Sequence, residues 1–194
     1  AGLAFGRLSA QFIRDKVVPE LDAFRFASYC GISGVTKKEE TLADGAATVA
    51  ALSAAVTAMD DEEVTATGRY LFITPTLLQG INDMDTTKSK KVLEGFEQVI
   101  KVPQRRFYTA IKQLSGKTGE EAGGYTKATG AANINFAIVQ KDALIQYTKH
   151  AAPKIIAPEN NPDADAYVFG YRMVGIAKAY KNMLSGMYFS HDKA

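Results

Sequence analysis

Two histidines, one cysteine and a Gly-Lys-Thr string are the residues of this 194-residue chain best suited to metal binding, nucleophilic attack or phosphate binding. His150 and His191 stand alone, outside any metal spacing such as His-Glu-x-x-His. With a single cysteine, a structural zinc site is nearly excluded. Cys30 closes a helical segment on its apolar side with no histidine nearby in sequence. That setting describes a buried structural thiol rather than a nucleophile. Gly116-Lys117-Thr118 imitates the end of a phosphate loop, but the position five residues earlier, where the motif needs glycine, is Ile111. Ser115 and Ser185 sit beside glycines and read as turn residues, since neither lies in a Gly-x-Ser-x-Gly elbow. No Gly-x-Gly-x-x-Gly follows an expected strand. Glu120-Glu121 is a carboxylate pair of the kind that any chain with 21 acids contains. Catalytic groups assemble in space, so missing motifs lower the expectation of catalysis without excluding it. No catalytic, cofactor-binding or metal-binding residue is assigned. The chain is expected not to be an enzyme and to use no cofactor.

Composition narrows the class further. The hydrophobic set makes up 46% and charged residues 23%, enough apolar material for one domain or two small ones. No apolar run approaches the roughly 20 residues of a spanning helix, so a soluble chain with no membrane partner is expected. The start, Ala1-Gly2-Leu3, has neither an initiator Met nor a signal-peptide pattern, and reads as a trimmed or truncated product. One cysteine excludes an internal disulfide and agrees with a reducing compartment. A net charge of +2 is too weak for a dedicated nucleic-acid binder. The short clusters Lys37-Lys38, Lys88 to Lys91 and Arg105-Arg106 read as solvated surface.

The elements that would carry these residues come from periodicity. Phe5, Leu8, Phe12, Ile13, Val17, Leu21 and Phe24 form one apolar stripe at steps of mostly three and four. Pro19 interrupts it, so a kink or break is expected at Val17-Val18, and Gly31 and Gly34 end the segment. About 27 residues at 1.5 Å each make a rod of roughly 40 Å, longer than a compact core needs. A second amphipathic helix starts at Asp44 and carries Val49, Leu52, Val56 and Met59. Residues 70–73 follow as a strand, and Thr74-Pro75 opens a short helix through Leu77, Leu78 and Ile81. The polar stretch 82–91 is expected to be a mobile surface loop, and 115–130, with five glycines, a second one. Residues 98–102 read as a strand stopped by Pro103, 134–139 as a buried strand and 141–147 as a short helix. Three prolines in 149–162 argue for extended backbone. Tyr167, Phe169, Tyr171 and Met173 then alternate with period two, and Lys181-Asn182 turns into a last strand, 183–189. The pattern is a rod, a small α/β layer and long strands.

Certain strings carry more than periodicity. Phe12-Ile-Arg-Asp-Lys-Val-Val-Pro-Glu-Leu-Asp-Ala-Phe-Arg-Phe26 resembles the spine helix of tailed-phage major capsid proteins of the Hong Kong 97 type. Val99-Ile-Lys-Val-Pro-Gln-Arg-Arg-Phe-Tyr108 resembles a segment of the same proteins in which a strand delivers a Val-Pro corner. The fullest match runs from Ile134-Asn-Phe-Ala-Ile-Val through Gln146-Tyr-Thr-Lys-His-Ala-Ala-Pro-Lys-Ile156. It continues by Asp163-Ala-Asp-Ala-Tyr-Val-Phe-Gly-Tyr171 to Ser185-Gly-Met-Tyr188.

The resemblance implies an α+β fold: a long spine helix, a central-sheet axial domain and long peripheral strands. Residues 1–33 and 146–181 would form the peripheral domain, and 34–145 with 182–194 the axial domain. The N-terminal arm and extended loop that precede the spine helix in such proteins are not in this sequence, nor is the lysine that some relatives cross-link to asparagine. The implied function is a structural subunit of an icosahedral bacteriophage (or prophage) capsid, self-assembling around DNA into a virion in the bacterial host cytoplasm. The implied partners are copies of the chain itself in pentamers and hexamers, a scaffold protein, and packaged DNA on the inner face without sequence-specific binding. Loops 82–91 and 115–130 would face capsomer centres, while the spine helix and residues 149–175 would form subunit edges. Arg105 and Arg106 would either supply interfacial ion pairs or lie on plain surface. The alternatives are an encapsulin-type compartment shell, which shares the fold, and a small α/β ligand-binding or enzymatic domain using the loop at 115–130.

Overall fold

A computed structural model describes residues 2–193, with side chains from Phe5 onward. Ala1 and Ala194, the outermost positions of the two expected lobes, lie outside the described residues. The chain opens with α1 (Gly2–Phe12), a π-helical turn (Ile13–Val17) and α2 (Val18–Cys30). There is no break at Val17-Val18. The turn widens instead, and the Val18 N–H bonds to the Ile13 carbonyl five residues back. Pro19 has no N–H and its ring would crowd the carbonyl of Asp15 in a regular α-turn. A π turn places one extra residue before the proline and relieves that crowding while the rod stays helical. The Gly31 N–H closes the helix on Ala27 O at 2.9 Å. Gly34 then turns the chain at φ +91°, where Leu184 Cδ1 lies 2.9 Å from the position of an added Cβ.

Strands β1 (Thr36–Glu39), β2 (Arg69–Ile73), β3 (Gln98–Lys101), β6 (Ile134–Gln140) and β9 (Met187–His191) form one sheet in the order β1-β9-β6-β2-β3. β6 is antiparallel to both its neighbours, while β1–β9 and β2–β3 are parallel pairs. Every residue of β6 is buried, as expected of a central strand covered on both faces. Alternation divides the strands between two cores. Leu71, Ile73, Phe136, Ile138 and Tyr188 pack beneath α3 (Gly45–Asp61), α4 (Pro75–Asp83) and α5 (Thr87–Glu94). Phe72, Ala137, Val139, Met187 and Phe189 face the end of α2 with Tyr29, Cys30 and Phe107. A register shift between Ile134 and Phe136 leaves Asn135 out of step, and its Nδ2 donates to Glu40 O at 3.0 Å.

Asp44 caps α3 by accepting the Ala47 N–H at 2.7 Å. Gly45 lets α3 touch α4, since a Cβ there would lie 2.2 Å from Gly80 O. Arg69, 2% exposed, donates to the Val64 carbonyl and to Thr65 O at 3.2 Å, and reaches Asp60 Oδ1 at 2.7 Å. It thereby ties the acidic end of α3 to the start of β2.

Several expectations need correction. Residues 82–91 are not a loop: α4 runs to Asp83 and α5 starts at Thr87 behind a Thr86–Ser89 capping box. Residues 141–147 are not a helix. A 3-10 turn (Lys141–Ala143) leads straight into β7 (Leu144–Ile156). The glycine-rich segment 115–130 holds β5 (Tyr125–Lys127), paired antiparallel with β4 (Ile111–Gln113). The last strand starts later than expected, after a 3-10 turn (Leu184–Gly186), and enters the central sheet. The partner of β8 (Val168–Ala179) is β7, in a two-stranded ribbon with one bulge between Thr148 and His150. At about 3.3 Å per residue the ribbon extends roughly 40 Å.

Candidate functional site

The structure keeps the chemically suggestive residues apart. Cys30 is buried, and desolvation pushes its thiol up to about 11, so it stays protonated and unreactive near neutrality. His150 is exposed on β7, whereas His191 ends β9 with Nδ1 2.7 Å from Asp192 O. Ser185 lies in the 3-10 turn before β9, and Ser115 in the β4–β5 hairpin. Among the described residues no group of three or more His, Cys, Asp or Glu side chains could hold a metal ion.

The Gly116-Lys117-Thr118 turn is occupied from within. Glu120 accepts hydrogen bonds from the Ser115 N–H and hydroxyl, both at 2.8 Å, and from Lys112 Nζ at 2.6 Å. The Lys112 hydrogen bond, then those from Ser115, hold its carboxyl down to about 2. A carboxylate of the chain itself thus engages Ser115, at the entry to this turn, and Lys112 beside it.

Arg106 is committed inside the chain, with Nη1 3.1 Å from Asp22 Oδ2 on α2. Gln113 Nε2 donates to Glu20 Oε1 at 3.0 Å, and the Tyr125 hydroxyl donates to Arg105 O at 2.9 Å. The first two bonds fasten the start of α2 to the segment 106–113, and the third fastens the hairpin to that segment. Arg106 is therefore an internal clasp, and Arg105 is exposed with its carbonyl engaged.

What remains is surface. Along β8 the odd positions Phe169, Tyr171 and Met173 are half-buried. Phe169 stacks edge-on with Phe5 at 6.3 Å and Phe12 at 5.8 Å. Between helix and ribbon runs a groove of about 560 Å³ whose walls include Leu21, Phe24, Met173 and Tyr147. The eleven exposed large apolar side chains among the described residues are Leu8, Phe12, Val18 and Phe24 on the helix and Tyr147, Ile155, Tyr167, Val168, Val174, Ile176 and Tyr180 on the ribbon and its flanks. None belongs to the five-stranded sheet or to the helices α3–α5 beside it. Apolar surface concentrated in this way is available for contact with another macromolecule. The stripe on the helix was visible in the sequence. That Leu8, Phe12 and Phe24 of it would stay exposed was not, because only the folded chain shows how little of α1 and α2 the ribbon shields.

No protein-family model matches the chain, and no curated protein matches it by sequence. Solved structures do. A chain of Mycobacterium phage Che8 superposes with a TM-score of 0.60 at 10% identity, covering 96% of this chain and 62% of that one. A chain from the capsid structure of the cyanophage P-SCSP1u gives 0.52 at 17% identity, covering 90% of this chain and 60% of that one. The chain thus spans about three fifths of the length of both. With its rod, five-stranded sheet and long ribbon, the chain has the α+β fold of a phage capsid protein.

Proposed function

We infer that the chain is a structural subunit of a tailed-phage icosahedral capsid, self-assembling into the shell that encloses DNA, and not an enzyme. The observation that carries this reading is the confinement of exposed apolar side chains to the helix and ribbon of a capsid-type fold. A subunit of this kind works by geometry: moderate interfaces repeat around symmetry axes, and closure multiplies their effect. Residues 1–33 and 146–181 act as the peripheral domain at subunit edges, and 34–145 with 182–194 as the axial domain. The α4–α5 corner around 82–91 and the β4–β5 hairpin face capsomer centres. The partners are further copies in pentamers and hexamers, a scaffold protein where assembly needs one, and DNA held on the inner face without sequence preference. The assembled product is a virion formed in the host cytoplasm.

Expression of the complete reading frame, alone and with a scaffold protein, tests this. Closed shells are expected by negative-stain microscopy, and their persistent absence in both arms would sink the assignment.

A further inference from the structure

Charge on the ribbon is sorted along its length. The two strands carry Lys149, Lys154, Arg172 and Lys178 and no acid. The tip between them, residues 157–167, carries Glu159, Asp163 and Asp165 and no base. All seven side chains are exposed. None is in an ion pair with another described residue.

Strand register fixes which way the basic groups point. The odd residues of β8 turn toward the helix and the even residues Val168, Arg172 and Lys178 away from it, while Val174 and Ile176, exposed, also border the groove beside α2. Lys154 pairs with Gly170, and Ala152 with Arg172, which puts Lys154 on the same outer face as Arg172. The outer face therefore joins three cations to exposed Val174 and Ile176, and the tip joins three carboxylates to exposed Tyr167. Within one chain Lys178 lies about 30 Å down the antiparallel pair from the tip, and Lys154 and Arg172, although nearer, form no ion pair with its carboxylates.

We propose that the acidic tip of one ribbon seats on the basic outer face of the ribbon of a second copy, as a head-to-tail contact between subunits. Tip and stem are different patches, so the contact is heterologous and propagates from copy to copy, closing only where symmetry permits. Apolar contact between Tyr167 and the Val174–Ile176 stretch supplies area, and the charges supply register and orientation. The proposal deepens the structural-subunit reading and rests on it.

The test uses two charge-reversed forms of this chain. One carries Glu159→Lys, Asp163→Lys and Asp165→Lys, and the other Lys154→Glu, Arg172→Glu and Lys178→Glu. Thermal unfolding establishes that each is folded; neutral Gln replacements serve if one is not. By sedimentation velocity at low salt, the unaltered chain should form small oligomers that dissociate in about 1 M salt, where the Debye length is about 3 Å. Each reversed form alone should be monomeric. Their equimolar mixture should associate again, since each reversed patch then meets its complement. Association by either reversed form alone, a monomeric mixture, or an unaltered chain that stays monomeric at low salt overturns the contact. Duplex DNA retained by the unaltered chain and lost on stem reversal, without self-association, gives the basic face to nucleic acid and also overturns it. Shells of the complete reading frame that persist in both reversed forms refute this contact and leave the structural-subunit reading standing; failure of the unaltered frame to form shells refutes that reading itself.

Discussion

Glu120 shows how one side chain decides between two readings of a motif. The string Gly116-Lys117-Thr118 was doubtful in the sequence because Ile111 stands where glycine is required. The partner that fills the turn could not be foreseen, since Lys112 reaches Glu120 only once β4 and β5 have paired. The carboxyl of Glu120 lies below its ordinary value of 4.5, so the ionised form is the one the hairpin favours. Its contribution is complete above about pH 4.5 and is lost as the pH falls toward about 2. The Ser115 amide proton, followed by NMR, should titrate with that low midpoint, and Glu120→Gln should flatten the curve. A midpoint near 4.5 would contradict the hydrogen-bonded turn. Cys30 is the opposite case, legible in advance as a buried thiol because its place on an apolar helix face is a local property.

Helices and strands were recognised where their patterns were local and missed where they were not. Asp44, Thr74-Pro75 and Pro103 mark element ends by side-chain and ring geometry, and the structure puts boundaries beside them. Helix α5 has no apolar periodicity to reveal it, since Val92 and Leu93 are its apolar residues and its start depends on the Thr86–Ser89 box. The first residues of β7 have a helical pattern in sequence, and only a pairing far along the chain makes them strand: Tyr147 is held by Ile176. The α3–α4 contact was likewise invisible, although it depends on one glycine. Gly45→Ala drives a Cβ into Gly80 O and should cost roughly 1–3 kcal/mol, seen as a fall of several degrees in Tm by calorimetry. Gly95→Ala meets only Val92 O at 3.6 Å, an ordinary contact, and should leave Tm near that of the unaltered chain.

For the whole molecule, sequence patterns indicated the parts, and the structure shows which of them remain uncovered. Rod, layer and long strands were each foreseeable, but the 62% exposure of Leu8 and 47% of Ile176 depend on how few neighbours the periphery has. Leu8→Glu and Ile176→Glu should therefore change unfolding free energy by no more than about 0.5 kcal/mol. The same changes should cut the yield of shells from the complete reading frame sharply, as counted by microscopy. Equal losses of stability and assembly would mean that these side chains serve the fold instead. The strand order also sets a timetable. β9 lies between β1 and β6, and joins residues about 150 positions apart in sequence. A growing chain can close the β7–β8 ribbon shortly before β9 emerges, because that pairing is nearly local. Until residues 187–191 leave the ribosome, however, β1 has no neighbour and β6 keeps an open edge. Peripheral contacts can thus be ready before the central sheet is complete, and a chain stalled in that interval exposes bare strand edges to neighbouring nascent chains.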